Sequence, residues 1–183
     1  MNEEIIIAGF GGQGVLSLGM TLAYAGMVED KQVAWIPSYG PEMRGGTANC
    51  TVIISDSKVS SPIISRYDTA IILNQPSLEK FELTVKPDGF LFYEANNIVD
   101  PPTRKDITIN KIAAAIEAEA LGNKKTLNMI LLGSYLALKP LVSLESILEA
   151  LTKILPDRHH HLIPVNEKAL RRGMELVKEP AVI

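Results

Sequence analysis

Ile5-Ile6-Ile7-Ala8-Gly9-Phe10-Gly11-Gly12-Gln13-Gly14-Val15-Leu16 runs from an apolar stretch through four glycines into a helical pattern near the N-terminus. Three β-branched residues without a polar interruption describe a strand buried on both faces, as in a parallel sheet. Gly9, Gly11 and Gly14 fit the G-x-G-x-x-G spacing, which permits a sharp turn, close approach of a ligand to the backbone, and tight packing of helix on strand. The helix that follows points its unpaired amides and the positive end of its dipole at the turn, an arrangement that favours a phosphate or carboxylate. The same glycines would also serve a plain strand-to-helix connection, and both readings stand at this point.

Working outward, Gln32-Val33-Ala34-Trp35-Ile36-Pro37 reads as a second strand, so that a β-α-β unit with a right-handed crossover is complete by residue 36. It ends in Pro37-Ser38-Tyr39, where a dinucleotide site would place an acid for the ribose. Glu42 lies too far into the next loop, so the residues argue against a plain dinucleotide site. Residues 37–50 contain two prolines and three glycines together with Tyr39, Glu42, Met43 and Arg44, a content unlike that of a simple linker. A loop at the carboxyl end of a strand, beside a glycine turn, is where open α/β sheets place their ligands. Arg44 is the natural anion partner and Gly45-Gly46 supply backbone amides. Alternatively, Arg44 pairs with Glu42 and the loop only covers the sheet edge.

The rest of the chain continues the α/β pattern. Val15 to Val28 carries Leu16, Met20, Ala23 and Met27 at helical spacing. Thr47 to Ser55 alternates as a strand, in which Cys50 is a small buried filler and not a nucleophile. Asp56-Ser57-Lys58 marks a turn, and Val59-Ser60-Ser61-Pro62 leads to a short return strand. Tyr67 to Leu73 is another buried strand, followed by a helix over Leu78 to Phe81 that Ser77 caps. Asn74 and Gln75 either bind ligand or satisfy neighbouring backbone groups. Lys86-Pro87-Asp88-Gly89 is a turn, Phe90 to Tyr93 a strand, and Ile107-Thr108-Ile109 a short one. Helices are expected over Ile112 to Leu121, Leu127 to Leu138, Leu144 to Ile154 and Asn166 to Val177. His159-His160-His161 lacks the spacing of a metal site and reads as a polar connection before Pro164.

At 183 residues the chain is expected to form one domain over residues 1–183. With 46% hydrophobic residues, 21% charged residues and a net charge of −3, it has a globular composition and no footprint for nucleic acid or an anionic membrane. Its single cysteine excludes an internal disulfide and a cysteine-held iron–sulfur cluster carried by this chain alone. Asn2-Glu3-Glu4 is acidic where a signal peptide would be basic, and the apolar run Leu127 to Leu138 is short and broken by Asn128, Gly133 and Ser134. A cytoplasmic protein is expected.

The glycine turn Gly9–Val15, the loop Pro37–Cys50 and Asn74-Gln75-Pro76-Ser77, in this order, make the chain similar to the gamma subunit of the 2-oxoacid:ferredoxin oxidoreductases over nearly its whole length. The arginine loop carries most of the specificity, and its form resembles the 2-oxoglutarate branch more than the pyruvate branch. The resemblance implies a three-layer α/β/α sandwich with a Rossmann-like, mostly parallel sheet. It also implies a complex that decarboxylates a 2-oxoacid on thiamine diphosphate, passes electrons through iron–sulfur clusters to ferredoxin, and delivers the acyl group to coenzyme A. Alpha and beta catalytic subunits and a ferredoxin-like subunit are the implied partners. The chain has neither a cysteine cluster nor the usual thiamine diphosphate–magnesium motif, so thiamine diphosphate, magnesium and iron–sulfur clusters are assigned to the partners. By position, Gly11, Gly12, Gln13, Gly14, Ser38, Arg44, Gly45 and Gly46 would face coenzyme A or the catalytic subunits. The alternatives are a branched-chain (2-oxoisovalerate) or arylpyruvate oxidoreductase of the same kind, or a stand-alone nucleotide-binding module.

Overall fold

The computed structural model describes residues 2–39, 47–58 and 64–177. The expected first strand is β1 (Asn2–Phe10), and the glycine turn delivers it into α1 (Val15–Val28). β2 (Gln32–Tyr39), β3 (Thr47–Ser55) and β4 (Tyr67–Ile72) follow, then α2 (Gln75–Phe81), β5 (Val85–Glu94) and β6 (Thr108–Ile112). The chain closes with α3 (Ala114–Ala120), α4 (Leu127–Leu138), α5 (Leu144–Ile154) and α6 (Ile163–Leu176).

The six strands form one sheet in the order β2-β3-β1-β4-β5-β6. β3 runs antiparallel to both of its neighbours, while β1, β4, β5 and β6 pair in parallel. β2 therefore runs in the same direction as β1 without touching it, because β3 returns into the slot between them. The β1-α1-β2 crossover thus spans an intervening strand. β1 is buried on both faces as its isoleucines require: Ile5 and Ile7 enter one core and Ile6 and Ala8 the other. On the first face α1, α3, α4, α5 and α6 cover the sheet; on the second α2 packs through Leu78 and Phe81, joined by Ile98. Three layers result.

Several local expectations are corrected. The buried face of α1 is Val15, Leu18, Leu22, Ala23 and Ala25 with Gly19 and Gly26, so that Ala23 is inward as expected, whereas Leu16 and Met20 are half-buried and Met27 is 57% exposed. Gly26 lets the helix approach the sheet, since a Cβ there would lie 2.9 Å from Val33 Cγ2. The cap of α2 is Asn74, whose Oδ1 accepts the Ser77 N–H at 2.9 Å; an extended residue before Pro76 suits that role better than one inside the first turn. The histidine run forms a 3₁₀ turn, Asp157–Leu162, and α6 starts earlier than its apolar pattern because Pro164 is well placed in a first helical turn. Ile112 ends β6 and so α3 begins at Ala114. Of the expected return strand, residues 59–63 lie outside the described residues, and Ile64–Arg66 form no strand.

Candidate functional site at the glycine rim

Register defines the rim. Phe10 pairs with Thr47 and Tyr39 with Ala48, so β1 and β2 end, and β3 begins, at the same edge of the sheet. The glycine turn leaves from this edge, and both attachment points of residues 40–46 belong to it. Arg44, Gly45 and Gly46 themselves lie outside the described residues. Because β4 and β5 run parallel to β1, Asn74, Gln75 and Glu94 stand at this edge too.

Within the turn, Gly12 has φ 95° and Gly14 φ 76°, left-handed values that side chains rarely adopt. Gly14 is also the N-cap of α1, and its carbonyl accepts the Leu18 N–H at 2.9 Å. The N–H groups of Gly11, Gly12 and Gly14 have no acceptor among the described residues. These glycines and the first turn of α1 line a cleft of about 270 Å³, together with Phe10, Ser17 and Ala48, among others. Unpaired amides at a helix start offer bonds and partial positive charge to an anion, with no basic side chain among the described lining residues.

The other expected residues are distributed differently. Gln13 turns inward: its Oε1 accepts the Phe10 N–H at 2.6 Å and its Nε2 donates to the Leu73 carbonyl at 3.2 Å. Ser38 pairs with Asn49, which pairs with Ala8; this register puts it on the sheet face opposite α1, away from the cleft lining. Asn74 and Gln75 satisfy backbone groups. Asn74 caps α2, and Gln75 Oε1 accepts the N–H groups of Val99 and Asp100 at 3.0 and 3.1 Å. The Nδ2 of Asn74 is buried without a partner among the described residues.

Two rim residues escaped sequence reading. Glu94, fully buried, accepts the N–H groups of Asn96, Asn97 and Ala115 at 2.9, 2.7 and 3.1 Å and so ties the end of β5 to α3. Asn128, at the start of α4, donates from Nδ2 to the Gly14 carbonyl at 3.2 Å. Its one sequence signal was that it interrupts an apolar run.

Cys50 is no nucleophile: burial pushes its thiol up to about 12, and the thiol donates to the Val15 carbonyl at 3.7 Å. Among the described residues no group of three or more His, Cys, Asp or Glu could hold a metal ion, and no helix is long and apolar enough to cross a membrane.

An α/β protein with a glycine turn at the carboxyl rim of a mostly parallel sheet is the class these features define. The chain belongs to the pyruvate ferredoxin/flavodoxin oxidoreductase family, whose model matches residues 4–176. It is 37% identical over 178 residues to the ketoisovalerate oxidoreductase subunit VorA of Methanothermobacter thermautotrophicus, covering 96% of this chain but 36% of that relative. The chain thus spans little more than a third of VorA. With the 2-oxoglutarate synthase subunit KorC of Methanocaldococcus jannaschii it shares 31% identity over 182 residues, covering 98% of this chain and 96% of KorC. The crystal structure of the keto/oxoacid ferredoxin oxidoreductase gamma subunit from Geobacter sulfurreducens PCA superposes with a TM-score of 0.81 at 29% identity, covering 96% of this chain and 98% of that one.

Proposed function

We propose that this chain works as the gamma part of a cytoplasmic 2-oxoacid:ferredoxin oxidoreductase, with residues 1–183 forming one domain that supports coenzyme A binding and assembly. The complex oxidatively decarboxylates a 2-oxoacid to an acyl-coenzyme A and passes the electrons to ferredoxin. One observation supports this reading: Gly11, Gly12 and Gly14, whose N–H groups have no acceptor among the described residues, line a cleft on the rim where residues 40–46, with Arg44, attach. Such amides fit the phosphates of coenzyme A, and Arg44, Gly45 and Gly46 supply charge and further amides. This chain's part is to hold that anion. Thiamine diphosphate, magnesium and iron–sulfur clusters belong to the alpha, beta and ferredoxin-like partners, since a lone buried Cys50 fits no cluster.

The arginine loop favours 2-oxoglutarate as substrate. The 37% identity with VorA supports the second reading, a branched-chain 2-oxoacid. Co-purification of the chain with its partners, followed by assay with 2-oxoglutarate, 2-oxoisovalerate and an arylpyruvate, tests both. Coenzyme A-dependent turnover of one of them is expected; a chain that binds a nucleotide alone and joins no larger subunit would overturn the proposal.

A further inference from the structure

The geometry points to Gln13 and Asn128 as positioning residues that grip the glycine turn from its inner side, so that two of the three motif glycines answer to the protein's own side chains. A Cβ on Gly9 would lie 2.7 Å from Gln13 Oε1 and 2.8 Å from Leu73 Cβ. A Cβ on Gly14 would lie 2.5 Å from Asn128 Nδ2. By contrast, a Cβ on Gly12 would meet nothing within 4 Å, and Gly12 is the glycine left facing open space. The spacing that reads as a ligand motif is therefore in good part a packing motif.

Both grips use the two ends of an amide. Gln13 accepts from the Phe10 N–H and donates to the Leu73 carbonyl, joining the turn to the end of β4. Asn128 donates to the Gly14 carbonyl while its Oδ1 accepts the N–H of Met129 at 3.0 Å, joining the turn to the start of α4. A carboxylate can replace only the accepting half of each pair, and an alanine neither. With the turn anchored from behind, the amides of Gly11 and Gly12 are set before a ligand arrives, which spares the cost of ordering them on binding. Asn128 stands 114 residues from Gly14, so the shape of an N-terminal motif depends on a helix in the last third of the chain.

The consequence for coenzyme A rests on the function proposed above, and the test separates the two. In the full chain, hydrogen exchange at the Phe10 amide should quicken about ten-fold in Gln13→Ala, and Gln13→Glu, which keeps the acceptor, should restore its protection. Asn128→Ala and Asn128→Asp, both without the donor, should loosen amides at the start of α1 alike, while exchange at Ile71 in β4 stays unchanged. In the assembled complex the same alanine variants should raise the KM for coenzyme A about five- to twenty-fold with kcat retained. Unchanged exchange at Phe10 and at the start of α1 would overturn the positioning roles. A loosened turn with an unaltered KM would leave those roles standing and remove coenzyme A from the turn.

Discussion

Gly19 of α1 lies against the Sγ of Cys50 on β3, so near that no Cβ fits between them. The contact sets how closely the first helix approaches the sheet. Gly19→Ala is expected to lower stability by about 1–3 kcal/mol, because the added methyl must push helix and strand apart. Urea unfolding of Gly19→Ala, Cys50→Ala and the double variant measures it. The double variant should recover part of the loss, and strictly additive effects would count against the contact.

The buried Cys50 thiol should resist alkylation. With its pKa pushed up to about 12 by burial, almost no thiolate exists at pH 8, and the side chain has no exposed surface. Mass spectrometry after iodoacetamide treatment should find Cys50 unmodified in the folded chain and modified in urea. Rapid labelling without denaturant would mean that this part of the sheet opens readily.

Glu94 organises three backbone amides from within the rim. Replacement by alanine strands buried donors and should cost about 2–4 kcal/mol, whereas glutamine, which keeps an acceptor, should cost less. Thermal unfolding of the two variants checks the order, and an equal loss in both would show that the amides need the negative charge and that a neutral acceptor in its place does not serve them.

At the opposite edge Lys86 bonds Asp68 at 2.7 Å and Glu4 at 2.8 Å. Burial alone would lower its pKa, but the two carboxylates outweigh burial and raise it above the ordinary value. A raised folded pKa stabilises the fold fully below the unfolded lysine pKa of about 10.4, and that gain is lost as pH rises through the folded value. The ammonium is open to solvent, so Lys86→Met should cost only about 0.5 kcal/mol at neutral pH. Urea midpoints at increasing pH should show the gap to the parent chain narrowing above about pH 10. A gap that widens would contradict the assignment.

Coenzyme A dependence should respond to Arg44. In the assembled complex Arg44→Ala is expected to weaken coenzyme A use or assembly by about 1.5–3 kcal/mol, the usual value of a charge-assisted contact. Steady-state kinetics with size-exclusion chromatography reads both effects, and no change in either removes Arg44 from the site.

What the sequence determined by itself was local or periodic. An uninterrupted Ile5-Ile6-Ile7 suits a strand covered on both faces; glycines at 12 and 14 permit left-handed backbone; and α4 and α5 match their apolar patterns residue for residue, Leu127–Leu138 and Leu144–Ile154. The residue types of the arginine loop are unusual for a connector and set it apart in the sequence, and residues 40–46 lie outside the described residues. The tertiary structure alone decided which strand fills the slot beside β1, since strand order depends on long-range pairing that no local pattern encodes. It also decided which face of α1 is inward: that helix is apolar nearly all round, so periodicity could not choose, and the close approach of Gly19 and Gly26 to β3 and β2 did. The same holds for Gln13 and Asn128. A side-chain amide is equally at home in water, in a ligand site or bonded to backbone, and only the position of Leu73 and Gly14 in space settles its partners.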